Sequence, residues 1–388
     1  MTRFDYYGSL VRNLKVFRDL THLSVQGNGW ERLEAQKATR PDGFLPYLLS
    51  LDLADTARGQ CARDWCGLLS LLICPRLEYA KLHSAISGRT VSVENDPQYF
   101  NHLMPTMPSR CPKLRFLHLL LVDRDNSCYG FNGWSCFQDL CHLVTNLDVI
   151  NDSDALLAVA QLPNLTHLAL REQRVDRQIY TDAITLPDNL FPALTTLDVD
   201  CTRPRFVEAI WSIMPLARHL TQARVKLNYT SNDRTPGLTD SVVRTVCTQS
   251  PNLQHLELGI SIHSFYSRLH CPITYSSLSA LKIPPLKKIA FVATQTSSRV
   301  SMAELASSFS AVEDFQILSQ RVKYMDVYQI ATHLPYLRKL SIKLKNSHIL
   351  PIAKSSAPIS YVPVIVTANL PLELAGSKTG KFLKQTAA

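Results

Sequence analysis

One spacing, Leu-x-x-Leu-x-Leu, returns along most of the 388-residue chain and leaves it few folds to choose from. Clear copies begin at Leu20, Leu48, Leu114, Leu165, Leu194, Leu253 and Leu337. Weaker ones, with one small or β-branched substitution, begin at Leu77, Val144, Leu220, Leu286 and Val312. The mean step is roughly 29 residues. Within each copy the fourth and sixth positions are apolar between polar neighbours, the period of a short strand with one buried face. A chain that writes such a strand and soon writes another in the same direction must return through a crossover.

A period in the twenties with this string marks a leucine-rich-repeat solenoid. The expected architecture is therefore an α/β horseshoe of about 12 coils, with parallel strands on the concave face and helices on the convex face. Stacked coils share one core that lengthens with each coil, so the length does not require separate globular domains. Residues 1–345 are expected to form the solenoid. Residues 346–388, basic and interrupted by Pro351, Pro358, Pro363 and Pro371, are expected to be a poorly ordered tail with a strand near 362–366. No cap for the solenoid core is legible at either end.

Return helices can be placed. Residues 62–73 carry Trp65, Leu68, Leu69 and Leu72 on one helical face. A helix over 153–162 follows the Asp152-Ser153-Asp154 cluster, a ready N-cap. Another over 206–214 starts just behind Pro204, as a helix start allows. Ser301-x-x-Glu304 has the form of a capping box, and 322–334 offers a further helical face. Pro75, Pro112, Pro163, Pro192, Pro251 and Pro335 stand two residues ahead of a strand's first apolar residue, where a missing N–H is harmless. Two registers compete in two places: Leu14 with Leu20, and Leu278 with Leu286.

The composition narrows the function. No apolar run reaches the length of a membrane span, and the first twenty residues are too charged for a signal-peptide core. Of ten cysteines, Cys74, Cys111 and Cys271 precede proline, which suits small buried residues better than disulfides and points to a cytoplasmic or nuclear protein. Cys61 and Cys66 lack a second close pair, so no metal is expected. The net charge is +9, but eight basic residues against Glu373 lie beyond residue 334, which leaves +2 for the repeats. Nucleic acid, which needs cations along the solenoid itself, is not an expected partner. No phosphate loop, His-Glu-x-x-His or Gly-x-Ser-x-Gly occurs, so neither an enzymatic role nor a cofactor is expected.

The third, fifth and seventh positions of each strand should face the concave side. This reading selects Tyr79, His83, Phe116, His118, Asp148, His167, Arg171, Asp198, Asp200, Arg224, Lys226, His255 and Glu257 as a protein-binding face. Histidine is prominent in it, since His22, His83, His118, His167 and His255 are five of the twelve. Aromatic and arginine side chains anchor interfaces. The acids Asp148, Asp198 and Asp200 beside Arg224 and Lys226 suggest a charge boundary that orients a ligand.

The segment Arg3-Phe4-x-Tyr6-Tyr7-x-Ser9-x-Val11-Arg12-x-Leu14 resembles the link between F-box and first strand in fungal F-box and leucine-rich-repeat proteins. Repeats that open Cys-Pro-x-Leu or Leu-Pro-x-Leu, such as Leu162-Pro163-Asn164-Leu165, are similar to that group over roughly residues 3–345. The resemblance implies a substrate receptor of a cullin-RING ubiquitin ligase, with a Skp-type adaptor on the F-box and the target protein on the repeats. The F-box would precede Arg3, and no adaptor-contact residue is carried over. The alternatives are a free-standing scaffold or regulator unconnected to ubiquitination, and a truncated gene product.

Overall fold

The computed structural model describes residues 10–17, 44–55, 69–84, 105–121, 132–172, 186–229, 237–263, 268–270, 272–292, 294–297, 300–344 and 365–368. The chain forms two compact units, Met1–Thr230 with Thr245–Leu253, and Ser231–Arg244 with Gln254–Ala388.

The first unit contains β1 (Asn13–Phe17), β2 (Ser50–Asp55), β3 (Tyr79–Ser84), β4 (Phe116–Leu121), β5 (His142–Asn146), β6 (His167–Arg171), β7 (Thr196–Cys201) and β8 (Gln222–Tyr229). Each pairs in parallel with the next, in chain order. Register follows the string: Leu14, Leu51, Ala80, Leu117, Leu143, Leu168, Leu197 and Ala223 lie side by side. From β2 onward these residues are buried, as are Leu48, Leu77, Leu114, Leu140, Leu165, Leu194 and Leu220 two residues before each strand. Each such leucine contributes about 2 kcal/mol by leaving water.

The second unit contains β9 (His255–His263), β10 (Arg268–His270), β11 (Pro272–Ile273), β12 (Lys288–Phe291), β13 (Gln295–Thr296), β14 (Asp314–Val322), β15 (Lys339–Leu344) and β16 (Ile365–Ala368). Strands β9, β12, β14, β15 and β16 run parallel in that order, with Leu256, Ile289, Phe315, Leu340 and Val366 aligned. Strand β10 folds back antiparallel on β9, and β11 pairs with β13.

A repeated backbone clamp sets the register. At the entrances of β2 to β8, β12, β14 and β15 the carbonyl of the residue before the preceding strand of the sheet accepts two N–H groups from the next coil. Thr166 and His167 donate to Cys141, Thr195 and Thr196 to Thr166, and Thr221 and Gln222 to Thr195. The hydroxyls of Thr166, Thr195 and Thr221 add a bond to the same carbonyls, at 3.0, 3.3 and 3.3 Å. In the second unit Lys287 and Lys288 donate to Gln254, and Glu313 and Asp314 to Lys287.

The helices begin where their caps allow. Helix α1 (Ser153–Ala160) is capped by Asp152, whose carboxylate accepts from the Asp154 and Ala155 amides at 3.0 and 3.1 Å. Helices α2 (Pro204–Ser212) and α3 (Met214–Ala217) each carry proline in the first turn. In α2 the buried Trp211 donates through Nε1 to Ser250 Oγ at 3.1 Å, and that hydroxyl donates to the Ala217 carbonyl at 2.9 Å. Helix α4 (Leu238–Gln249) precedes β9; α5 (Tyr275–Leu281) and α6 (Met302–Ser307) follow, the latter with the Ser301–Glu304 capping box formed in both directions. Helix α7 (Tyr324–His333) precedes β15. Residues 69–72 are helical, and the rest of the expected 62–73 helix lies outside the described residues.

The structure corrects the repeat at Val144. Strand β5 aligns Leu143 with Leu117 and Leu168, so the coil reads Leu140-Leu143-Thr145, and residues Leu147–Asn151 form a 3-10 turn. One of the two competing registers resolves as well. Leu14 is in β1, while Leu20 lies outside the described residues; Leu278 is in a helix, and Leu286 leads into β12. Within the expected tail, β16 extends the sheet beside β15, three residues beyond the strand start anticipated at 362.

Candidate functional site: the open sheet face

The alternation that buries the fourth and sixth positions sends the third, fifth and seventh to the other face. In the first unit the third-position side chains form a row of rings. Tyr79 stacks on Phe116 with centroids 4.2 Å apart and planes 11° from parallel. Phe116 meets His142 at 4.3 Å, and His142 stacks on His167 at 3.8 Å and 10°. Strand spacing in a sheet is close to 4.8 Å, so one ring per strand at one register makes such a stack unavoidable. Beside it on the same face, at fifth and seventh positions, Leu120, Val144 and Ala169 form a small buried apolar cluster against Phe116. Thr196 and Gln222 continue the row on β7 and β8.

Burial keeps these imidazoles neutral. The pKa of His142 falls from 6.5 to about 4, first through burial and then through the neighbouring His167 and His118. That of His167 is also lowered, by burial foremost, against the opposing pull of Asp198. Burial raises the Tyr79 phenol, with help from the Asp52 carboxylate.

Charged side chains take fifth or seventh positions on β2, β3, β6, β7 and β8. Arg171 grips Asp198 with two bonds, of 2.9 and 2.5 Å, and Arg224 approaches the same carboxylate at 3.9 Å. Asp200 pairs with Lys226 at 3.3 Å and accepts from Asn228 Nδ2 at 3.2 Å. Lys81 stands 3.7 Å from Asp52. At the seventh-position end of the face, Glu172 accepts from the amide and hydroxyl of Thr202; burial raises its carboxyl pKa nonetheless.

The first unit thus brings together Tyr79, Phe116, His118, His167, Arg171, Asp198, Asp200, Arg224 and Lys226 on one face. His83 stands in β3 opposite Leu120 of β4, and His22 lies outside the described residues. Asp148 does not belong to this face. It sits in the 3-10 turn after β5, where its charge helps raise the Glu172 carboxyl. Of the acids in the expected charge boundary, Asp198 is buried, gripped by Arg171 and approached by Arg224, while Asp200 pairs with Lys226. His142 was missing from the expected face; Leu140 and Leu143, in step with the coils on either side, are the signal that places it.

His255 and Glu257 belong to the second unit, on β9. Burial and the cations Lys288 and Lys287 lower the His255 pKa. Beside it Asp314 lies 3.6 Å from Lys288 and 3.8 Å from Lys339.

Buried thiols are structural. Burial pushes Cys111 and Cys247 up to about 12, and Cys74 Sγ donates to the Leu48 carbonyl at 3.2 Å. Among the described residues no helix is long and apolar enough to cross a membrane.

Fold and face together define a class: an α/β protein of parallel strands in chain order, solenoid-like, with a polar and aromatic sheet face. No protein-family model and no curated protein matches the sequence. Seventy-seven chains of known structure match. One belongs to the crystal structure of the Rad7 and Elc1 complex in yeast, similar at 12% identity and a TM-score of 0.37 over 87% of this chain and 70% of that one.

Proposed function

We propose that the chain is a non-catalytic protein-interaction module, the substrate-recognition part of an F-box-type receptor of a cullin-RING ubiquitin ligase. In this reading each unit is a leucine-rich-repeat stack, the protein works in the cytoplasm or nucleus, and the ring row lies on the concave face of the first unit. The observation that carries the binding role is that row, Tyr79 to His167, with half-exposed cations two strands beyond its end on β8. Rings and arginines laid out along a sheet suit a long contact with another protein. The carboxylates and imidazoles of the face are engaged with their own neighbours, which supports binding over acid–base chemistry. The ligase reading rests on the Arg3–Leu14 segment and the Cys-Pro-x-Leu repeats.

Purification of the 388-residue chain from its own cells, followed by mass spectrometry, tests both levels. A Skp-type adaptor and a cullin among the recovered proteins support the ligase reading. Recovery of other proteins without them would confine the role to a scaffold, and recovery of none, from folded protein, would sink the binding role.

A further inference from the structure

By formal charge the β7–β8 corner of the open face is nearly balanced, with Asp198 and Asp200 against Arg171, Arg224 and Lys226. By exposure it is not. The Asp198 side chain is 10% exposed and that of Asp200 29%, while Arg224 and Lys226 are each 50% exposed. The acids are engaged by Arg171 and Asn228, and the β8 side chains that pair with them are the more exposed. A partner approaching from solvent meets cations first, and charge at an interface rim mainly steers and selects. One strand away from this corner the ring row ends at His167, its pKa lowered foremost by burial, with apolar Ala169 and Val144 on the same face.

We infer that this corner docks an acidic protein segment, its carboxylates on Arg224 and Lys226 and its apolar side chains along the ring row that ends at His167. The inference rests on the scaffold reading above and names the chemistry of the partner. A single-stranded nucleic acid is the other polyanion to weigh. It needs free ring faces on which bases can stack. Here the faces are spent on one another at 3.8–4.3 Å, so the row offers mainly edges to a partner.

The test is fluorescence anisotropy on the full chain with three labelled probes: a peptide alternating Glu and Leu, its Lys–Leu counterpart, and a thymidine oligonucleotide. The Glu–Leu peptide should bind, and more weakly as salt rises. Arg224→Gln/Lys226→Gln should weaken it at least about tenfold, whereas Arg224→Lys should stay within about threefold. Lys226→Gln alone should give a smaller loss in the same direction, and it keeps the test open if the double variant does not fold. Equal binding of the Lys–Leu peptide, an unchanged double or single variant, or cation-dependent binding of the oligonucleotide alone would each overturn the inference. If the Glu–Leu peptide fails while cellular proteins still co-purify with the chain, this inference falls and the scaffold reading stands.

Discussion

His142 and His167 show how a single side chain can tie stability to pH. Both are packed in the ring row, with His118 on β4, Phe116 above, and Arg171 and Asp198 on the strands beyond. In the unfolded chain they take up protons near pH 6.5. In the fold His142 does so only near pH 4. Because the unfolded state binds more protons in that window, stability is fully present above about pH 6.5 and is lost as pH falls toward 4. Melting temperatures measured from pH 7.5 to 4.5 should fall. His142→Phe, which keeps the stack without the proton site, should flatten the curve, and an unchanged slope would contradict this account. Asp198 makes a second case. Asp198→Ala leaves Arg171 and Arg224 without their shared carboxylate and should cost about 2 kcal/mol, read as a lower urea midpoint. Lys226→Gln, at a half-exposed pair, should cost under about 0.5 kcal/mol. Most of the face was legible because side chains alternate along a strand, and that rule alone selects Phe116, His167, Asp198 and Arg224. Their pairing was not, since Asp198 is claimed by arginines from coils on both sides.

At the scale of elements, caps and clamps do the placing. Asp152, Ser301 and Pro204 were readable as helix starts because their chemistry is local, and the helices begin there. Ser301→Ala removes one side of a capping box and should lower stability by about 1 kcal/mol, measurable by thermal melt. Ser250→Ala is a harsher change, since the buried indole N–H of Trp211 would lose its acceptor. About 2 kcal/mol is expected, with a shift in tryptophan fluorescence to confirm where the damage lies. The repeat misread at Val144 has a clear cause. Thr145 occupies a sixth position that is apolar in neighbouring coils, yet it is buried, while Val144 and Val149 imitate the pattern four residues later. Polarity of one residue hid the register that burial of the strand fixes.

Over a whole unit, stability should be local. Each strand touches its neighbours in a one-dimensional stack, so damage fades along it. Leu168→Ala empties a fully buried site in β6 and should cost about 3 kcal/mol. Hydrogen exchange should rise in β5, β6 and β7 and stay near its original level in β2 and β3; uniform loss of protection would refute a stack of semi-independent coils.

The paired N–H clamp repeated along the parallel strands carries a consequence for how such a molecule changes over generations. It fixes the start of each strand that carries it, whatever the path between strands. Clamped threonines lie 25 residues from their acceptor in one coil and 29 in the next, and the step from Ala80 to Leu117 is longer still. Insertions in the return segments therefore leave the columns of the open face in place. Loop length and face chemistry can drift as independent traits, and a new ligand can be acquired by exchanging a few outward residues without redrawing the scaffold.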